Sequence, residues 1–223
     1  ATLPTIDLVI EIMEQIIAHG ADDGTIPTAN VPQTTWESER LRAQPEHSYI
    51  EAYDTLAQAV YPFGLPFDRW QIEAEQYLQQ LGLTRHKLMQ TFPRQSGVRE
   101  LHLALAALGM PIEAYNIIAT PRSQTAWIAT YWGIDLDQGS LLNQLRPVEA
   151  LLQQAAIDYE TLVRLLNIRF LNPDRQIEID FHGNPCSLDQ AELTGDNFGI
   201  FLGRAHRFLR LLRYLGWTAY ELD

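Results

Sequence analysis

A chain of 223 residues, 46% hydrophobic and 20% charged, has enough apolar side chains for one large or two small domains, which excludes disorder throughout. Its single cysteine, Cys186, rules out an internal disulfide, so the fold must hold by packing. A net charge of −12 argues against a nucleic-acid ligand, which calls for a basic face.

The acidity is concentrated at the start: residues 1–60 hold ten Asp and Glu against Arg40 and Arg42. Fifteen of the sixteen basic residues are arginine, with Lys87 the lone lysine. No apolar run approaches the roughly 18 residues of a membrane span, and no charged-then-apolar leader opens the sequence. Direct membrane insertion and a Sec-type signal are therefore not expected. Ala1 and the closing Glu221-Leu222-Asp223, which follow a fresh helix start, read as boundaries within a larger protein.

The first helix is expected over residues 1–20. Pro4 suits a first turn, Ile6, Val9, Ile10, Met13, Ile16 and Ile17 share a face, and Gly20 stops it. Leu8 and Ile12 widen the apolar surface, so packing on more than one side is expected. Residues 21–47 mix Asp, Gly, Thr, Asn and Pro without a period and read as a flexible connection. A helical domain is expected over 48–223. Ser48-Tyr49-Ile50-Glu51 has the form of a capping box, with Tyr53, Leu56, Ala57 and Val60 inward. Tyr61-Pro62-Phe63-Gly64-Leu65-Pro66-Phe67 must turn, and its aromatic residues predict a buried corner. The next helix runs to Gly82 with Trp70, Ala74, Tyr77, Leu78 and Leu81 on its inner face.

From there a stop-and-restart unit recurs: Leu81-Gly82-Leu83-Thr84, Leu108-Gly109-Met110-Pro111, Leu215-Gly216-Trp217-Thr218, and the degenerate Ala155-Ala156-Ile157-Asp158. A left-handed residue closes one helix, an apolar residue covers its end, and Thr, Asp or Pro opens the next. The irregular intervals exclude a fixed-period solenoid. Arg175–His182 alternates apolar and polar before Gly183-Asn184-Pro185, predicting one short strand or half a hairpin near 175–182. The last long helix is expected over 196–216, with Phe201, Ala205, Phe208, Leu209, Leu212 and Leu215 inward. The expected fold class is mainly α, an irregular multi-helix bundle of helix–turn–helix units with that short β element.

Chemistry leaves few marks. His182 and Cys186 are two soft ligands where a metal site needs more. Asp135-Leu136-Asp137-Gln138-Gly139 resembles the start of a calcium loop, but its sixth position is Ser140 and its twelfth Arg146, so it reads as a capped turn. No nucleophile elbow or phosphate-cradling Gly loop is present, and Glu37 with Glu39 or Glu73 with Glu75 are pairs any acidic helical chain contains. No catalytic residue, cofactor or metal is expected. The one charge pattern that stands out is Arg204, Arg207, Arg210 and Arg213, with His206 among them. It reads either as a solvated face or as an interaction strip gripping carboxylates of a neighbouring domain or subunit.

These segments together resemble the helical region of the A subunits of insecticidal toxin complexes, the Tc toxins, and related virulence-plasmid A-type proteins. The resemblance rests on Leu3-Pro4-Thr5-Ile6-Asp7-Leu8-Val9, Tyr61-Pro62-Phe63-Gly64-Leu65-Pro66-Phe67-Asp68, Leu81-Gly82-Leu83-Thr84-Arg85-His86-Lys87-Leu88-Met89, Tyr131-Trp132-Gly133-Ile134, Arg169-Phe170-Leu171-Asn172-Pro173 and His206–Thr218 leading to Glu221-Leu222-Asp223. It implies a non-enzymatic, secreted or cell-surface structural module, part of the helical shell of a homopentamer that supports host binding and toxin translocation. Its implied partners are other domains and subunits of that complex, with a host-cell receptor in reach of the shell. The chain lacks a channel segment, and residues 21–47 match no part of the family. A second reading is a receptor- or glycan-binding module using exposed aromatics, with Trp36, Trp127 and Trp132 as candidates. Core packing is the competing role for Trp127 and Trp132. A third, an enzyme without sequence signature, would show as a deep polar cleft with converging titratable groups.

Overall fold

Glycine and proline punctuation cuts this chain into short helices, and the computed structural model describes it over residues 5–19, 37, 39–40, 49–92, 99–183 and 187–223. Most of the connection expected at 21–47, the capping Ser48, Trp36 and Cys186 lie outside the described residues. The elements are α1 (Thr5–His19), α2 (Ile50–Gln58), α3 (Arg69–Gln80), α4 (Arg85–Thr91), α5 (Arg99–Leu108), α6 (Ile112–Ala119) and α7 (Thr125–Trp132). After a 3-10 turn at Leu136–Gln138 come α8 (Leu141–Leu145), α9 (Val148–Ala155), α10 (Tyr159–Leu166), β1 (Glu178–Phe181), β2 (Ala191–Thr194), α11 (Phe198–Leu215) and α12 (Ala219–Leu222). The architecture is mainly α with one antiparallel hairpin, in register from Glu178 opposite Thr194 to Phe181 opposite Ala191. No single helix among the described residues is long and apolar enough to cross a membrane.

Contacts divide the chain into two units, Ala1–Ala59 with Phe67–Arg69, and Val60–Pro66 with Trp70–Asp223. In the first, the contact between α1 and α2 is partly polar. Glu14 is buried and accepts hydrogen bonds from the Tyr49 backbone N–H at 3.0 Å and from the Tyr53 hydroxyl. This reverses part of the expected packing: Ile6, Val9, Ile10 and Met13 stay exposed, because the buried side of α1 is the one that carries Glu14.

The second unit is built on the stop-and-restart units. Gly82, Gly109, Gly216 and Ala156 all have positive φ, and Leu83, Met110 and Ile157 return their N–H groups to Leu78, Leu105 and Leu152, five residues back. The following helices open as the sequence requires. Thr84 and Asp158 accept from the N–H groups of Lys87 and Thr161, and Thr218 with Glu221 forms a reciprocal capping box. Asp135 and Ser140 likewise bond to backbone N–H groups two and three residues on, making the Asp135–Ser140 stretch a capped turn.

The main core surrounds α11, with Trp132, Leu145, Leu165, Ile168, Leu193 and Leu202 among its most enclosed side chains. Phe63 packs edge-on to Trp132 at 5.1 Å, so the corner between the two prolines is buried as its aromatic content required. Gly133 ends α7 at φ +63°, and any Cβ there would overlap the Tyr61 ring. A smaller cluster joins Leu105, Met110 and Ala114 to Leu211 and Tyr214 of α11. Buried Asn172 closes the approach to the hairpin, exchanging bonds of 2.9 and 3.1 Å with the Ile177 backbone and donating to the Leu166 carbonyl.

α3 departs from its expected orientation. Trp70, Tyr77 and Leu81 are each more than 70% exposed. Gln71 is buried and Glu75 half-buried instead, with Gln71 donating to Glu75 at 2.9 Å, while Leu78 is half-buried on the expected side. The polar pair also recurs at helical spacing, one residue out of phase with the apolar face.

Candidate functional site

α11 is an 18-residue helix without an acidic residue, and it carries all four arginines of the predicted strip. Steps of three residues fall about 60° short of a full turn, so the row winds across about half the helix circumference rather than lying on one face. The structure shows the consequence. Arg210 is only 1% exposed, Arg204 and Arg207 are half-buried, and Arg213 reaches the surface.

All four donate to backbone carbonyl oxygens. Arg204 reaches Phe170 at 3.3 Å, Arg207 reaches Ile118 through Nε at 2.5 Å, and Arg213 reaches Ala155 at 3.2 Å. Arg210 donates to Val60, to Phe63 at 3.3 Å and to Leu65 at 2.6 Å. Ile118 and Ala155 lie in the last turns of α6 and α9, where carbonyls have no helical partner and a cation meets the negative end of the dipole. Arg210 and Arg213 also stand over the Phe63 ring, at 5.0 and 5.4 Å. Among the described residues of this unit, no carboxylate lies within ion-pair distance of these four side chains. The row is an internal bracket for its own unit, and its acceptors are carbonyls rather than the carboxylates expected of an interaction strip.

His206 was legible only as a member of the row, yet it is 1% exposed. Its position four residues after Leu202 and three before Leu209 is the signal that puts it on the core face. It stacks on Tyr131 at 4.7 Å, and neither ring nitrogen has a hydrogen-bond partner. Burial, then the charges of Arg210 and Arg207, hold its pKa down to about 3, so the ring is neutral at pH 7. Burial also pulls the Arg210 guanidinium down to about 10, leaving it charged.

The aromatic candidates separate. Trp132 is buried and donates from Nε1 to the Leu202 carbonyl at 3.1 Å, a core role. Trp127 is 40% exposed, with the Arg122 guanidinium 4.2 Å from its ring centre and Tyr131 at 6.1 Å. His182 sits 3.7 Å from Asp180 and 3.8 Å from Glu192, all three about half exposed. Among the described residues no group of three or more His, Cys, Asp or Glu is placed to hold a metal ion.

Hollows open along α11. One of about 200 Å³ is lined by Ile118, Phe170, Arg207, Phe208, Leu211, Leu222 and Asp223. The carboxylate of Asp223 accepts from the backbone N–H groups of Arg169 and Phe170 at 3.0 and 2.9 Å, which ties Asp223 to the turn that follows α10. Another, of about 220 Å³, lies beside Arg122, Arg204 and Arg207. No family model, curated protein or solved structure matches this chain.

Proposed function

We propose that the chain is a non-enzymatic structural module of a Tc-toxin-like A subunit, part of a helical shell that supports host binding and toxin translocation by the complete protein. The observation that carries the reading is the contrast between a bracketed interior and large apolar side chains left on two helices. α11 fastens loops and helix ends to itself through Arg204, Arg207, Arg210 and Arg213, a rigid scaffold device. α1 meanwhile presents Ile6, Val9, Ile10 and Met13 to solvent, and α3 presents Tyr77 and Leu81. Exposed apolar side chains at helical spacing are the ordinary signature of a face that another domain or subunit covers. The most strongly shifted groups also favour a scaffold, since His206 and Arg210 are each only 1% exposed, enclosed where no substrate reaches them. Other domains and subunits of a homopentamer are the proposed partners, in a secreted or cell-surface setting.

The test is the stoichiometry of the complete protein containing this chain, read by mass photometry. The proposal expects a fivefold assembly. A monomer at micromolar concentration would refute it.

A second reading has one observation in its favour: the half-exposed Trp127, stacked with Arg122, offers a flat aromatic and a donor to a sugar or a receptor. Iodide quenching relieved by a host glycan in this chain but not in Trp127→Phe is its test.

A further inference from the structure

The hollow of about 220 Å³ beside the N-terminal half of α11 is lined by Arg122, Ser123, Arg204 and Arg207, with Gly199 and Gly203 leaving its helical side bare. Three arginines meet there with no carboxylate among the lining residues, on a chain whose net charge is −12. The backbone explains the meeting. The Arg122 carbonyl lies 3.5 Å from where a Cβ on Gly203 would stand, so the 121–123 segment runs close along the helix and brings its side chain to the row.

Among the described residues, few of the N–H groups of these three arginines are engaged in hydrogen bonds. Arg207 uses Nε for Ile118 and Arg204 one terminal nitrogen for Phe170, while Arg122 lies over the Trp127 ring. A guanidinium presents its N–H groups as a planar fork, which matches two oxygens of one carboxylate or phosphate. Ser123 adds a hydroxyl. Gathered cations in a recess repel one another, and an anion placed among them removes that cost. Burial already lowers the pKa of Arg207, which shows the site is partly shielded from water. The volume falls below the roughly 300–1,000 Å³ of sites for drug-sized ligands. It therefore fits an oxyanion head group, not a nucleotide or an oligosaccharide.

We infer that this cleft binds a small oxyanion, a carboxylate or phosphate group, held by Arg122, Arg204 and Arg207. The site requires neither an assembly nor a parent subunit, so it stands apart from the scaffold reading.

The test titrates the chain with sodium phosphate and, separately, sodium succinate, with ionic strength held constant by chloride. The reporter is the emission change that disappears in Trp127→Phe, since the Trp127 ring lies under Arg122 while four other tryptophans also emit. Saturation below about 5 mM is expected with at least one anion, weakening roughly tenfold or more in Arg122→Gln and in Arg204→Gln. Far-UV circular dichroism confirms that each variant keeps its helices, and the two substitutions provide independent routes to the answer. Saturation by phosphate alone assigns a phosphate group, by succinate alone a carboxylate, and by both the oxyanion class. Failure of both to saturate below about 5 mM overturns the inference, as does unchanged affinity in both folded variants.

Discussion

Arg210→Met removes the most enclosed charge among the described residues and leaves a flexible apolar stem in its place. In the native fold Arg210 is 1% exposed and its guanidinium donates to the carbonyls of Val60, Phe63 and Leu65, three acceptors within a six-residue stretch. Hydrogen bonds to a charged donor are worth about 1.5–3 kcal/mol each, and a buried carbonyl left without a donor costs about 1–3 kcal/mol. Against this, methionine avoids the several kcal/mol needed to desolvate the cation, so the effects partly cancel. The expected net loss is about 3 kcal/mol, a large share of the roughly 5–15 kcal/mol that holds a domain together. Arg210→Lys should lose nearly as much, because an ammonium on a flexible stem cannot reproduce a planar fork aimed at several acceptors. Urea unfolding followed by far-UV circular dichroism measures both variants. A loss below about 1 kcal/mol, the scale of an exposed charge pair, would show that Arg210 is not a bracket.

Ala156→Gly should stabilise the chain by about 1 kcal/mol, raising Tm by roughly 2–4 °C, because Ala156 is held at φ +51° in the one restart unit that lacks glycine. An unchanged or lower Tm would mean the neighbouring contacts, not φ, set the stability of that turn. For His206 the folded pKa is about 3 against 6.5 in the unfolded chain, so below pH 6.5 the unfolded state binds the extra proton. Stability is then flat above that pH and falls by about 1.4 kcal/mol per unit as pH drops toward the folded value. His206→Phe keeps the stack on Tyr131 and should remove about 2 kcal/mol of the difference between pH 7 and pH 5. Parallel pH profiles for the two proteins would contradict the assignment.

The helix boundaries were legible because each rests on a local device whose chemistry is visible in the sequence. Gly82, Gly109 and Gly216 could be read as left-handed stops without any tertiary information, and Thr84, Asp158 and Thr218 as caps. The buried corner at Phe63 followed from aromatics trapped between two prolines. What failed was the choice between adjacent faces of one helix. On α3 the apolar positions Trp70, Tyr77 and Leu81 and the polar positions Gln71 and Glu75 recur at the same helical spacing, and burial chose the polar pair, with Leu78 of the expected face half-buried beside it. The arginine row was visible as a pattern, but its acceptors were not, since a backbone carbonyl leaves no trace in residue identity. β2 escaped because Ala191–Thr194 is too short to show an alternation of its own.

The scaffold reading stands on the exposed sides of α1 and α3 becoming covered in the complete protein. Hydroxyl-radical footprinting reads this directly, because Met13 and Tyr77 are among the most reactive side chain types and are 55% and 73% exposed in this chain. The account predicts strong labelling of both in the isolated chain and protection of both in the assembled protein. Equal labelling in the two states would contradict it.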